Sequence, residues 1–250
     1  MLEQLRITCK IRMAIWSPWR GCHQFSRGCD NCYIHRADRN NHIDTNEIIK
    51  TDSFDLPIRK NKKNVYVMKP NQLVYLCFQS DFFIEEADLW REECWKMIKE
   101  RSDLTFLFLT KRINRFLSCI PNDWNDGYDN VVVSCTVEDQ TSADERLALF
   151  KQLPIKHKNI VCQPLLEPIT ISKYLDGIDL VVVGGESGKN TRPMDFDWVL
   201  NIRSECVHAN VNFTFRQVSS VFIKDGLMYS ISPKLLTSQA RKANIDYQKA

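Results

Sequence analysis

Three cysteines, Cys22, Cys29 and Cys32, stand at C-x6-C-x2-C within the stretch Gly21-Cys22-His23-Gln24-Phe25-Ser26-Arg27-Gly28-Cys29-Asp30-Asn31-Cys32-Tyr33. Thiols at this spacing can hold a metal centre. Cys29 and Cys32 reach it from a single turn, and Cys22 folds back across the loop as a third ligand. Gly21 and Gly28 each precede a cysteine and let the backbone turn close to an inorganic centre. Spacing leaves three readings open. A structural zinc site closes with four ligands, so it would recruit His23 or His35. A 4Fe–4S cluster on three cysteines keeps one iron open to a non-protein ligand. The third reading is inert cysteines, buried as small apolar side chains.

A second set of polar residues follows the apolar runs of the chain. It comprises Gln79-Ser80-Asp81, Thr110-Lys111-Arg112, Ser134 with Thr136 and Glu138, Gln163 with Glu167, Gly184-Gly185-Glu186-Ser187-Gly188 with Arg192, and Arg216-Gln217. Glycines after a buried strand let a ligand lie against bare backbone, and Glu186 could accept from an ammonium or a ribose hydroxyl. The alternative for Gly184–Gly188 is an ordinary tight turn with a solvated glutamate. Lys111 and Arg112 suit a carboxylate or phosphate. Asp81 suits a cationic group or a neighbour in need of orientation. Ser80, Asp81, Ser134, Thr136, Gln163, Gly184, Gly185, Glu186, Ser187 and Arg192 are therefore the expected cofactor contacts. Lys111 and Glu167 are the expected groups for chemistry on a substrate. The basic run Arg59-Lys60-Asn61-Lys62-Lys63 reads as a solvated loop, with a phosphate contact as the alternative.

These residues need elements to position them. Apolar runs of strand length lie over 73–78, 104–109, 131–135, 159–162, 180–183 and 212–215, after a first strand over 13–19. Helical spacing separates them, over 33–43, 85–101, 112–119, 139–152, 171–176 and 196–209. Trp90, Cys94, Met97 and Ile98 share one expected buried face. Ala143, Leu147 and Phe150 share another, and Trp198, Ile202, Cys206 and Ala209 a third. Asp195 is an expected N-cap. Alternation of strand and helix predicts a parallel sheet with right-handed crossovers. About seven such strands, apolar on both faces and without G-x-G-x-x-G after the first, predict an α/β fold: a partial or complete parallel β/α (TIM-like) barrel. In such a barrel the strand-end residues and the cysteine loop share one mouth. Residues 1–12 read as an N-terminal arm, 13–217 as the barrel, and 218–250 as an extension with an Asp225-Gly226 hairpin and a helix over 234–243. Met13 is a second candidate start.

Bulk properties narrow the class. The 250 residues are 44 % apolar, enough for a sizeable core, and carry a net charge of +3. That balance permits nucleic-acid contact without demanding it. No apolar run is long enough to span a membrane, and the N-terminus lacks a signal-peptide pattern. Ten cysteines without such a signal predict a reducing, cytoplasmic setting rather than a disulfide framework.

Several blocks in order resemble a family of phage and mobile-element proteins of unknown biochemical role, related to the radical S-adenosylmethionine (radical SAM) enzymes. They are Trp16-Ser17-Pro18 through Cys29-Asp30-Asn31-Cys32-Tyr33, Ser80-Asp81-Phe82-Phe83, Leu109-Thr110-Lys111-Arg112, Ser134 to Gln140, Pro164-Leu165-Leu166-Glu167-Pro168-Ile169, Val183 to Gly188 with Arg192-Pro193-Met194, and Phe215-Arg216-Gln217. The resemblance implies a partial barrel of the radical SAM type. It implies a 4Fe–4S cluster on Cys22, Cys29 and Cys32, S-adenosyl-L-methionine on the open iron, and an organic radical that abstracts hydrogen from a substrate. The first cysteine gap is six here, where the superfamily usually has C-x3-C-x2-C. Gly184-Gly185-Glu186 also comes later in the chain than the superfamily's Gly-Gly-Glu. The implied partners are a flavodoxin- or ferredoxin-type reductant and an unknown substrate, with nucleic acid or a nucleotide among the choices. The competing reading is a metal- or cluster-containing nucleic-acid-binding or partner protein without catalysis.

Overall fold

The computed structural model describes residues 12–249. The expected arm, apart from Arg12, lies outside the described residues. The strands are β1 (Arg12–Trp16), β2 (Trp19–Arg20), β3 (Ile49–Lys50), β4 (Gln72–Leu76), β5 (Thr105–Thr110), β6 (Val131–Thr136), β7 (His157–Cys162), β8 (Leu180–Gly184), β9 (Met194–Asp195), β10 (Asn212–Gln217), β11 (Val221–Lys224) and β12 (Leu227–Ser230). The helices are α1 (Tyr33–Asn40), α2 (Asp88–Glu100), α3 (Phe116–Cys119), α4 (Gln140–Gln152), α5 (Phe196–His208) and α6 (Leu236–Ala243). A seven-stranded sheet runs in the order β1–β4–β5–β6–β7–β8–β10. The pairings β1–β4, β4–β5, β7–β8 and β8–β10 are parallel. The fold is mixed α/β, and its sheet is compatible with a partial parallel β/α barrel. The seven strands are those that the apolar runs predict. Among the described residues no helix is long and apolar enough to cross a membrane.

The chain divides into two compact units. Among the described residues the first holds 12–23, 41–134 and 153–157. Its core is aromatic. Trp19 stacks on Phe82 with centroids 5.4 Å apart, and Phe82 meets Phe108 at 4.9 Å and Trp95 at 5.1 Å. Such pairs add about 1 kcal/mol each beyond the area they bury. The first strand is shorter than expected. It stops at Trp16, and Trp19–Arg20 turns away to pair antiparallel with Ile49–Lys50. Pro18 accounts for the break, since it has no N–H to give a ladder. On α2 the buried face is Arg91, Cys94, Trp95, Met97 and Ile98, so Trp95 takes the place expected of Trp90. A 3₁₀ turn over Glu85–Ala87 precedes this helix and moves its start to Asp88. The expected helix 112–119 is a 3₁₀ turn over Ile113–Arg115 followed by the single turn α3.

Among the described residues the second unit holds 24–40, 135–152 and 158–249. Helix α4 buries Ala143, Leu147 and Phe150 as its periodicity requires, but also Arg146. Helix α5 buries Val199, Ile202 and Cys206, while Trp198 is only partly covered and Ala209 is exposed. Asp195 caps it, its carboxylate accepting from the Asp197 N–H at 2.9 Å. Strands β11 and β12 form the hairpin predicted at Asp225-Gly226, both residues at positive φ (52° and 72°). The two-residue β9 joins β11 in parallel, a pairing too short to leave a pattern in the sequence. Helix α6 packs on β10, and the Val218 N–H donates to the Leu236 carbonyl at 3.2 Å.

Candidate metal and cofactor site

In the first unit the approach to Cys22 is set by Gly21, at φ +90°. A Cβ there would stand 2.3 Å from the Glu47 carbonyl oxygen, so only glycine fits. The Cys22 N–H then donates to the Thr45 carbonyl at 2.7 Å, and the Ser80 hydroxyl donates to the Gly21 carbonyl. Asp81, 5 % exposed, lies at the centre of this half. Its carboxylate accepts from the Thr110 hydroxyl (2.8 Å), the N–H groups of Phe83 (2.9 Å) and Lys111 (3.0 Å), and Arg112 Nη1 (3.2 Å). A buried charge persists only when paired and hydrogen-bonded in this way. Arg112, aligned by Asp81, reaches the His23 carbonyl at 3.0 Å and the Cys22 Sγ at 4.0 Å. The His23 ring has partners at both nitrogens: Nε2 with Glu86 at 2.5 Å and Nδ1 with Asn46 at 3.4 Å. The Glu86 contact raises the His23 pKa above its ordinary value.

In the second unit Cys29 closes a 3₁₀ turn over Arg27–Cys29, and Cys32 leads into α1. The Cys29 N–H donates to the Ser26 carbonyl at 2.8 Å and the Cys32 N–H to the Cys29 carbonyl at 3.0 Å. The Phe25 N–H points at the Cys29 Sγ, 3.5 Å away. Between the two cysteines, Asp30 and Asn31 are tied to residues far along the chain. Asn31 Nδ2 donates to Glu186 at 2.9 Å, and Arg192 Nη1 to Asp30 at 3.2 Å. Glu186, 6 % exposed, also receives the Arg192 N–H at 2.8 Å, its Nε at 3.1 Å and its Nη2. The carboxylate expected to face a ligand is thus filled by donors of its own chain, and it latches the cysteine turn to the glycine loop. Arg36 of α1 adds a second tie through the Ser187 carbonyl and hydroxyl.

Burial pushes the Glu186 carboxyl up, but the hydrogen bonds from Arg192 and Asn31 outweigh it and hold the pKa below its ordinary value. A depressed carboxylate adds stability that is present above the unfolded-state pKa, about 4.3, and lost as pH falls through the folded value. Glu186→Gln should therefore cost about 2 kcal/mol at neutral pH, with the gap to the unsubstituted protein closing below about pH 4.3. Thermal unfolding followed from pH 7 downward reads this. A gap that stays constant over the whole range would show that the charge contributes nothing.

The remaining expected residues are placed as follows. Gly184 and Gly185 are packed bare: a Cβ on the first would meet the Gln163 side chain at 2.8 Å, and one on the second the Ser219 N at 2.4 Å. Gln217 Nε2 donates to the Gly185 carbonyl at 2.8 Å. Glu167 accepts from the Gln140 N–H at 3.1 Å and from Arg27 at 3.3 Å. The Thr136 carbonyl accepts from Arg146 at 2.7 Å. The Ser134 hydroxyl, in the first unit, is buried with no hydrogen-bond partner among the described residues. Sequence reading missed Asn31, Arg36 and Arg146 as site-building residues. Only Arg146 left a signal, an arginine on the apolar face of α4. It grips the fully buried Glu138 with two hydrogen bonds, at 3.0 and 3.2 Å.

Nine cysteines are described. Cys22, Cys29 and Cys32 are partly exposed, and Cys77, Cys94, Cys119, Cys135, Cys162 and Cys206 are buried. Burial pushes the Cys77 and Cys162 thiols well up and Cys206 to about 12, which keeps them protonated and inert. Among the described residues no three His, Cys, Asp or Glu side chains are gathered as a ready metal cage. Thiols do not attract one another; a bound metal draws them together. A family model described as a protein of unknown function (DUF5131) matches residues 8–244. No curated protein and no solved structure matches the chain.

Proposed function

The chain belongs to the DUF5131 family, and from that premise we propose that it is an iron–sulfur enzyme of the radical SAM type, with kinship to phage and mobile-element proteins. The observation that carries the reading is the division of the cysteines. The three at C-x6-C-x2-C are reached by solvent, while the six others described are buried. Cys22, Cys29 and Cys32 would hold a 4Fe–4S cluster. Their surroundings fit, because Arg112 beside Cys22 and the Phe25 N–H on Cys29 put donors next to sulfur. Three sulfurs with one position left open suit a 4Fe–4S cluster.

When bound, the cluster and S-adenosylmethionine supply one-electron cleavage of the sulfonium and an organic radical. The chain does the rest. Asp81 aligns Arg112 and the backbone after Thr110. Glu186, Arg192 and Asn31 set the turn that carries Cys29 and Cys32. Gly184 and Gly185, lacking Cβ atoms, keep the end of β8 narrow. Lys111 and Glu167 remain the groups proposed to act on substrate, and a nucleotide or nucleic acid is the proposed substrate class. The electron would come from a flavodoxin- or ferredoxin-type partner in the cytoplasm.

Anaerobic reconstitution with iron and sulfide, then dithionite and S-adenosylmethionine, tests this. Release of 5′-deoxyadenosine or methionine is expected. A cluster that forms and never turns over overturns the enzyme, and a protein purified anaerobically with zinc and no iron overturns the cluster.

A further inference from the structure

A basic ribbon in the first unit lies outside the site. From Leu56 to Ser80 the sequence holds five cations, Arg59, Lys60, Lys62, Lys63 and Lys69, and no acidic residue. Residues 59–67 fold back on themselves. Lys60 bridges Tyr66 antiparallel, the Val67 N–H donates to the Arg59 carbonyl at 2.8 Å, and the Asn61 N–H to the Val65 carbonyl at 2.9 Å. The tip, Asn61-Lys62-Lys63-Asn64, is built rather than loose. Asn61 Oδ1 accepts from the N–H groups of Lys63 (2.9 Å) and Val65 (3.2 Å), and Asn64 takes the left-handed conformation at φ 57°. All four tip residues are exposed. Of the acids near the base, Asp55 pairs with Arg59 and Asp103 with Arg101 at 2.7 Å, while Glu100 accepts from the Tyr66 hydroxyl at 2.7 Å and Asp52 lies near Arg59. Lys60 stands over the Tyr66 ring, 4.9 Å from its centroid.

We propose that this ribbon docks on the phosphate backbone of nucleic acid, with Lys62 and Lys63 as the leading contacts and Lys60 and Lys69 behind them. A fixed tip holds its charges forward with little backbone ordering on binding. Lysine and asparagine side chains are groups that meet phosphate oxygens. A membrane surface fits less well. Interfacial segments insert bulky apolar side chains, and the exposed apolar residues here, Val65 and Val67 (50 % and 46 %), are short and lie behind a wholly polar tip. The contact carries no sequence preference, since phosphates are the same everywhere. It stands apart from the radical reading, because it needs neither cluster nor S-adenosylmethionine.

Fluorescence anisotropy of a short labelled DNA duplex, and of its single strand, titrated with the protein at several salt concentrations, tests it. Affinity should fall as salt rises. Lys62→Ala/Lys63→Ala should flatten the slope of log K against log salt by about 2 for the duplex, one unit per lost phosphate contact. Lys62→Glu/Lys63→Glu should weaken binding further, with unchanged circular dichroism. No binding at low salt, or equal slopes for the unsubstituted and the alanine protein, overturns the proposal. Retention on vesicles rich in phosphatidylserine that the alanine protein loses, without binding to DNA, overturns it in favour of a lipid surface.

Discussion

Alanine at Cys22, Cys29 or Cys32 removes the iron taken up in anaerobic reconstitution, and with it any release of 5′-deoxyadenosine, whereas alanine at Cys135, Cys162 or Cys206 leaves the iron content unchanged. The expected effect is all or none, because two thiolates cannot hold what needs three. The controls are sharp for a physical reason. Cys135, Cys162 and Cys206 are buried; burial holds the Cys162 and Cys206 thiols protonated, and a protonated thiol is neither ligand nor nucleophile. Iron and sulfide analysis with an absorption spectrum decides the matter. Full iron in a Cys29→Ala protein would overturn the assignment, and so would loss of iron in the Cys162→Ala protein with its fold intact.

Arg146→Met should unfold about 3–5 kcal/mol more easily than the unsubstituted protein, the cost of leaving one buried charge without its partner. Glu138 has no exposed surface, and the Arg146 side chain is 9 % exposed. The guanidinium holds Glu138 with two hydrogen bonds, holds the Thr136 carbonyl with another, and lies 5.3 Å from the Phe25 ring centroid. Phe25 belongs to the cysteine stretch, so the loss reaches from the end of β6 into that loop. Pairing the change with Glu138→Leu should recover much of the stability, since an apolar pair of similar size needs no compensating charge. Urea unfolding of the three proteins measures this. A loss under about 1 kcal/mol for Arg146→Met would match an exposed pair, not a buried one.

Much of the scaffold was legible without coordinates. Val131–Val133 and Leu180–Val183 announce themselves as continuous apolar runs, because strands covered on both faces are mostly apolar. The Asp225-Gly226 turn and the Asp195 cap were legible too, since each is a local bargain between a few neighbouring residues. Trp95 was not. Trp90 and Trp95 lie on the same helix, and rings from outside it, Phe82, Trp124 and Tyr128 among them, select which is covered. Short pairings such as Trp19–Arg20 with Ile49–Lys50 carry too few residues to write a period.

The sequence by itself determined the chemistry on offer: three thiols at a metal-binding spacing, glycines where a side chain would collide, and charged groups at strand ends. Tertiary structure alone decided what those charges do. Glu186 was open to a ligand as far as its own neighbourhood could tell. It meets Asn31, 155 positions away, and Arg192, and the hydrogen bonds they donate turn it from a free carboxylate into a strut. Local sequence encodes backbone preference and burial, but a hydrogen bond between distant residues exists only once the chain has returned to the same place.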